Sequence, residues 1–410
     1  MTTPICLIIN RFSDDYSRYA SYLDDLDAEL WLISTKIDGL PGFRRHDFGK
    51  VNLVSELDLA TIAQVLDSDP SASTAIEHVV AISEYDLELG AAVCEYLGVK
   101  GYSSEYVRRF RDKVYSKSLV AAGGVRTPEW MPVHPGMTAE SIDRVWGYPV
   151  VVKPVSGAAS TGVRVCLDRA ELQEKLDSLD PALEWEAETF IPGPVYHCDG
   201  YAENGVVGYL SMSRYVGSCT SFNEGQPLAS VSVQHTDEAP ILADGVARAL
   251  RALGLENGVF HLEAFLDQGE FVFLEIGHRP GGGDILPVIH RHGGVDLMSA
   301  AVRLSCQLPA LQPGTRPRSP EGSYGWVMCP AVGQTGRVVR SISARGLLPD
   351  GIAISHAAFP GQVVPDDPEY DFTGVSAHVY GACPAEAIAR IEQFLEVLVI
   401  EYVDRDALDA

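Results

Sequence analysis

Over the N-terminal quarter of the chain, short continuous apolar runs alternate with stretches whose apolar positions recur at helical spacing. Residues 5–9 are apolar and β-branched, residues 16–26 have helical spacing, and residues 30–34 are strand-like again. Residues 78–82 form another buried strand, followed by a helix over residues 87–97 that Gly98 is placed to terminate. This alternation predicts an open α/β sheet. No GxGxxG follows the first strand, so nothing there supports a dinucleotide site.

From Arg108 the pattern changes. A basic helical stretch, Arg108-Arg109-Phe110-Arg111-Asp112-Lys113, runs on through Lys117 to Gly123-Gly124. Residues 148–155 read as a strand with Lys153 near its end, leading into the loop SGAASTG at 156–162 and a further strand at 163–167. Asp168 is placed to cap the next helix, with Glu171 completing a capping box. Residues 186–191 are strand-like and closed by Pro192-Gly193-Pro194. Between Leu311 and Pro320 the composition shifts to Pro, Arg, Gly and Ser, which marks a boundary. A helix over 384–395 and a strand over 397–403 are expected near the C-terminus.

The most informative segment is VFHLEAFLDQGEFVFLEI, residues 259–276. Asp267-Gln268-Gly269 suits a three-residue hairpin loop, with Gly269 left-handed and a bulge after it. That register pairs Leu266 with Glu270, Glu263 with Phe273, and His261 with Glu275. One face then carries Phe260, Leu262, Ala264, Leu266, Val272, Leu274 and Ile276. The other carries His261, Glu263, Phe265, Phe271, Phe273 and Glu275, with Arg279 following. Glu263 and Glu275 become diagonal neighbours with Cα atoms about 7–8 Å apart. Two such carboxylates suit Mg²⁺ holding nucleotide phosphates. A solvated polar face is the plainer reading of two hairpin glutamates. Arg279, Gly281-Gly282-Gly283 and the phenylalanines beside them favour magnesium.

The small-residue loop at 156–162 exposes backbone N–H groups suited to phosphate oxygens, and Ser156, Gly157, Ala158, Ser160, Thr161 and Gly162 are its candidate binders. It is not a Walker A sequence, because the lysine precedes the loop. Lys153 would place a point charge beside the same phosphates, and its burial would demand an anion. Lys113 and Lys117 share a helix face by their spacing, and Lys117 reads as a solvated position.

Composition narrows the field. The 410 residues hold 31 Lys+Arg against 56 Asp+Glu, a net charge of −25, which argues against a general nucleic-acid binder or a polybasic membrane-surface protein. A chain of this size buries about three-quarters of its surface, ample for two or three domains. No apolar run approaches the ~18 residues of a membrane span. Met1-Thr2-Thr3-Pro4 lacks a basic segment, so no signal sequence is read and a cytoplasmic location is expected. The 8 cysteines form no CxxC pair and read as reduced, structural thiols.

Taken together, Asp112-Lys113, Val150-Val151-Val152-Lys153-Pro154, SGAASTGVRV, Glu188-Thr189-Phe190-Ile191-Pro192-Gly193, His261-Leu262-Glu263 and Leu274-Glu275-Ile276-Gly277-His278-Arg279 resemble the ATP-grasp superfamily in order and spacing. The resemblance runs from about residue 80 to 310. It implies an α/β chain with α+β subdomains: an N-terminal open α/β domain (1–111), a small subdomain with the phosphate loop (112–185), a large subdomain with the metal site (186–311) and a C-terminal α+β piece (312–410). It further implies that Lys113 and Lys153 contact the phosphates of ATP. Glu188 and Ile191 would line the adenine through the strand backbone, with Phe190 nearby. Glu263 and Glu275 would hold Mg²⁺, with Mn²⁺ the alternative ion, and Arg279 would meet an acyl phosphate or substrate carboxylate. Gly277 stands where the family often has Asn, and Val195 where it often has an acidic residue. A third metal ligand and the ribose contacts therefore stay open, with His197 and Asp199 as candidates for the latter.

The run EIGHRPGGGDIL resembles the carboxylate–amine ligase branch, which includes L-amino acid ligases and carnosine synthase-like enzymes. The implied reaction forms an amide through an acyl phosphate, with ADP as product and a small-molecule carboxylate and amine as partners. A carrier-protein or coenzyme A thiol is the alternative acceptor, and a non-catalytic nucleotide-binding protein the other alternative. A homodimer is expected by analogy. His261, His278, His290 and His292 read mostly as structural, with His278 a candidate for touching substrate.

Overall fold

The computed structural model describes residues 3–12, 18–35, 45–157, 159–365 and 372–405. β1 (Ile5–Asn10), β2 (Glu29–Ser34), β3 (Lys50–Leu53) and β4 (Ile76–Ala81) form a parallel sheet in the order β3-β2-β1-β4. Parallel strands covered on both faces need continuous apolar runs, and that is how β1 and β4 were legible. The helix Leu87–Leu97 ends at Gly98, whose φ of 68° needs glycine. Of the helix expected over 16–26, only Tyr19–Tyr22 is helical among the described residues, the chain turning at 23–26, and residues 13–17 lie outside the described residues.

The single basic helical stretch expected after Arg108 is instead two helices, Ser104–Arg111 and Lys113–Ala122. Asp112 separates them in an extended conformation, and its carboxylate accepts from the Tyr115 N–H. An Asp side chain competes for the N–H groups at a helix start, so it breaks the run and re-aims the chain. Lys113 thereby becomes the first residue of the second helix.

A small antiparallel sheet follows: β5 (Trp130–Val133), β6 (Val150–Pro154), β7 (Arg164–Cys166) and β8 (Trp185–Thr189), ordered β5-β8-β6-β7. Asp168 caps the helix Arg169–Asp177 by accepting from the Ala170 and Glu171 N–H groups. Glu171 reaches back to the Leu167 N–H.

The remaining chain contributes β9 (Val195–Glu203), β10 (Val206–Val216), β11 (Leu228–Ser232), β12 (Gly258–Asp267), β13 (Glu270–Gly277), β14 (Ser323–Pro330), β15 (Val338–Ala344), β16 (Ile352–Ala357), β17 (Thr373–Gly381) and β18 (Leu398–Val403). Eight of these make one sheet in the order β13-β12-β9-β10-β11-β14-β17-β16, while β15 pairs with β18. One face of the large sheet is apolar. Phe260, Leu262, Ala264, Phe271, Phe273 and Cys198 pack there with Leu242, Val246 and Leu250 of the helix Glu238–Leu253. Gly245 of that helix must lack a side chain, since a Cβ would fall 2.1 Å from the Phe271 ring. The opposite face is apolar where Val259, Tyr201, Trp326 and Met328 pack under the helices Ile285–Gly293 and Leu297–Ser305, and it is polar at His197, Asp199, His261, Glu263 and Glu275, where it carries the site. Among the described residues no helix is long and apolar enough to cross a membrane.

The β12–β13 hairpin corrects the register read from sequence. Its loop has two residues, Gln268 and Gly269, both left-handed at φ 53° and 81°, so Asp267 pairs with Glu270. A tight turn of this type follows the right-handed strand twist better than a longer loop. The register then slips by one, which turns Phe271 and Phe273 into the core instead of toward the polar face. A bulge between Glu263 and Ala264 slips it by one more. Glu263 and Glu275 consequently stand directly opposite each other rather than diagonally.

Candidate active site

On the small sheet, β6 and β8 pair Lys153 with Glu186 and Val151 with Glu188. The Lys153 ammonium lies 2.8 Å from Glu188 Oε1 and 3.9 Å from Glu186 Oε1. Lys117 reaches the same pair from the helix Lys113–Ala122, 2.7 Å from Oε2 of each glutamate. Lys117 is wholly buried, which overturns its reading as a solvated position. The helix face that carries it packs on the sheet, and only a two-anion partner makes that burial tolerable. Burial opposes the charge on Lys153, but Glu188 and Glu186 more than offset it and hold its pKa above the ordinary lysine value. Glu188 is likewise held below the usual carboxylate range, against its burial, by Lys153 and Lys117.

A cavity of about 340 Å³ lies between the small sheet and the polar part of that face of the large one. It brings together Lys113, Lys153, Gly157, Ser160, Thr161, Glu188, Phe190, Ile191, Glu263 and Glu275. Phe265 and Leu274 line it as well, Leu274 having been turned there by the two-residue loop and Glu275 kept there by the bulge. Ser156 and Gly162 flank the lining rather than form it, and Ala158 lies outside the described residues. Ala159, Ser160 and Gly162 have φ values of 57°, 56° and 75°, so the loop turns sharply over the cavity. Two side chains hold it: the Lys113 ammonium donates to the Gly157 carbonyl at 3.0 Å, and Asn223 Nδ2 donates to the Ala159 carbonyl at 3.0 Å. Lys113 also lies 3.6 Å from Glu275 Oε2. Burial would raise the Glu275 pKa, but Lys113 and Lys153 outweigh it and lower the value.

Arg279 lies outside this lining. Its Nε donates to Glu84 Oε2 at 2.5 Å, and Nη1 donates to the Pro280 carbonyl at 2.9 Å. Glu84 also pairs with Arg111, so one carboxylate serves two guanidiniums. Glu84 was missed in the sequence. The signal was available: Ser83-Glu84-Tyr85-Asp86 follows β4 directly, and ligands of open α/β sheets gather at the carboxyl ends of strands. His278, by contrast, lies under Tyr102, Tyr106 and Phe110, with ring centroids at 4.5, 5.7 and 5.1 Å. Burial pushes its pKa down to about 4.

A second buried group was not read as a group: His197 and Asp199, the candidates for ribose contacts, are buried, lie outside the cavity lining and are joined to His261. Asp199 accepts from Nδ1 of both His197 and His261, at 2.6 and 2.8 Å. His261 loses charge stability through burial, yet Asp199 more than restores it and the pKa rises to about 9. The sequence signal was faint, because the residues come from separate strands and only the β9–β12 pairing joins them.

This geometry meets an independent finding: residues 146–288 match the model of the ATP-grasp domain family. The chain carries an ATP-grasp domain. The ATP-grasp fold extends beyond that match. The structure of the L-amino acid ligase from Bacillus licheniformis superposes with a TM-score of 0.73 at 19% identity, covering 98% of this chain and all (100%) of that one. Among curated relatives, D-alanine–D-alanine ligase from Bacillus anthracis is 34% identical over 82 residues, 20% of this chain and 26% of its own. Dapdiamide A synthase from Enterobacter agglomerans is 26% identical over 147 residues, 33% of this chain and 34% of its own. The chain thus spans about a third or less of the length of these two curated relatives.

Proposed function

We propose that the protein is an ATP-dependent carboxylate–amine ligase that forms an amide through an acyl phosphate and releases ADP. The observation that carries this reading is the pairing of Glu263 opposite Glu275 in a cavity that also holds Lys113, Lys153, Gly157, Ser160 and Thr161. Its volume falls in the range of small-molecule pockets, with apolar walls and few convergent charges.

The donor set fits a hard divalent ion: two opposed carboxylates, both lining the cavity. Glu263 and Glu275 would hold Mg²⁺, which would supply charge neutralisation for phosphoryl transfer. Lys153, fixed by Glu188 and Glu186, keeps a permanent charge at the cavity wall and needs no reorganisation when phosphate arrives. Lys113 is held more loosely, by one carbonyl and the distant Glu275, so it is free to exchange those contacts for phosphate oxygens. The side chain of Glu188 is committed to the two lysines, which leaves its backbone and that of Ile191 to meet adenine. The substrate carboxylate attacks the γ-phosphorus and ADP leaves. The amine then displaces phosphate. Arg279 would grip the oxygens of the carboxylate or acyl phosphate with its planar fork. Such transfer is chiefly positioning and charge compensation, which matches lysines, carboxylates and an arginine better than a nucleophilic triad.

A panel of carboxylates with amines, analysed by nucleotide chromatography, tests the proposal. Sustained ADP formation that needs both substrates is the expected result, whereas AMP with pyrophosphate would exclude the acyl-phosphate route.

A further inference from the structure

The site-bearing face of the large sheet carries a hydrogen-bonded chain that the proposed chemistry does not use directly. Asp199 has no exposed surface, and its two oxygens accept from Nδ1 of His197 at 2.6 Å and Nδ1 of His261 at 2.8 Å. His197 Nε2 continues to Ser230 Oγ at 2.6 Å. At the other end His261 Nε2 faces Glu263 Oε1 at 3.5 Å. Strand register builds this arrangement. The β9–β12 ladder sets His261 against Asp199 and Glu263 against His197, so alternate residues of both strands interlock on one face. Gly281 covers the chain closely, since a Cβ there would lie 2.5 Å from Asp199 Oδ1.

The three ligand-type groups lie within 4.8 Å of one another, yet they do not make a metal centre. Ligand atoms around a tetrahedral zinc stand roughly 3.3 Å apart. Spacings of 2.6 and 2.8 Å are those of charge-assisted hydrogen bonds.

We infer that Ser230, His197, Asp199 and His261 form a positioning chain for Glu263, holding its carboxylate toward Glu275 and so setting the affinity of the paired glutamates for a divalent ion. The inference rests on the reading of those glutamates as ion ligands. A free glutamate samples several rotamers, and a site with two carboxylates is only as good as their mutual orientation. Glu275 has Lys113 beside it at 3.6 Å, and Glu263 has His261. Each link in the chain is buried, so the orientation at the far end is fixed by packing rather than by solvent.

Substitution at His261 separates this role from a merely structural one. Asparagine mimics Nδ1 and keeps the bond to Asp199, while glutamine mimics Nε2 and keeps the reach to Glu263. The measurement is Mn²⁺ affinity in the presence of ADP, by electron paramagnetic resonance titration, alongside the melting temperature. His261→Asn is expected to weaken Mn²⁺ binding by about tenfold or more with its melting temperature near that of the unaltered protein, and His261→Gln by no more than about threefold. A His261→Asn protein with unaltered Mn²⁺ affinity, or a His261→Gln protein impaired as much as His261→Asn, would overturn the inference. Should His261→Asn not fold, His197→Gln carries the test: it keeps Ser230 but releases Asp199, two links from Glu263, so a loss of Mn²⁺ affinity of about two- to threefold is expected and an unaltered affinity would overturn the inference. If the unaltered protein bound no Mn²⁺ with ADP, the ion-ligand reading itself would fall and the inference with it. Binding that no variant in the chain changes would remove only the inference.

Discussion

Lys117 lies with no exposed surface between Glu186 and Glu188, 2.7 Å from each. Removing one partner from a buried ion cluster leaves an uncompensated charge, so Lys117→Met should cost about 3–5 kcal/mol in urea unfolding. An exposed lysine would cost less than about 0.5 kcal/mol. His278 provides a pH signature. Its pKa is about 4 in the folded chain against an ordinary 6.5, so between those values the unfolded chain binds a proton that the folded one refuses. Stability should therefore fall as pH drops from about 6.5 to 4, by about 3 kcal/mol from this residue. His278→Gln should flatten that limb of the pH–stability curve relative to the unaltered protein. The sequence showed Lys153, Glu188, Glu263 and Glu275 of the cavity lining, because lysines and glutamates in otherwise apolar strands stand out, but it also pointed to Ser156, Gly162 and Arg279, which do not line it. It did not show Lys117 as buried, since i,i+4 spacing gives the face a residue occupies but not what covers that face.

The hairpin β12–β13 shows what local pattern can and cannot specify. The strands and the polar character of Glu263 and Glu275 follow from alternation. The register does not, because a two-residue and a three-residue reading of Asp267-Gln268-Gly269 differ by one position, and that position inverts the side chains from Phe271 up to the bulge, where the register slips again. The observed register makes a direct prediction. Phe271 is buried in the core, so Phe271→Ala should destabilise by about 3–5 kcal/mol. Phe265 lines the cavity, and Phe265→Ala should cost less stability while raising the KM for ATP. Denaturant unfolding with steady-state kinetics on the two variants checks both, and the register read from sequence would make the two phenylalanines behave alike. The break at Asp112 was similarly hidden, since Asp fits a helical window until its side chain takes the Tyr115 N–H.

At the scale of the whole molecule, Glu84 from the first α/β sheet holds Arg279 from the end of β13, so the N-terminal layer reaches the site that the large sheet builds. The alternation of elements in the N-terminal quarter made that layer legible. The joining of β14, β17 and β16 to the same sheet as the hairpin was not, because pairing across such sequence distances leaves no local periodicity. Arg279→Lys keeps the charge but loses the planar fork. At saturating ATP, with the carboxylate varied, its kcat/KM should fall by about a hundredfold. An arginine serving only as an ion pair would leave the lysine variant nearly unchanged. The acyl phosphate is the central claim, and oxygen transfer tests it most directly. With a substrate carboxylate labelled with ¹⁸O, mass spectrometry of the released phosphate should find one labelled oxygen per phosphate formed, carried over when the acyl phosphate breaks. Phosphate released without label, while amide accumulates, would contradict it.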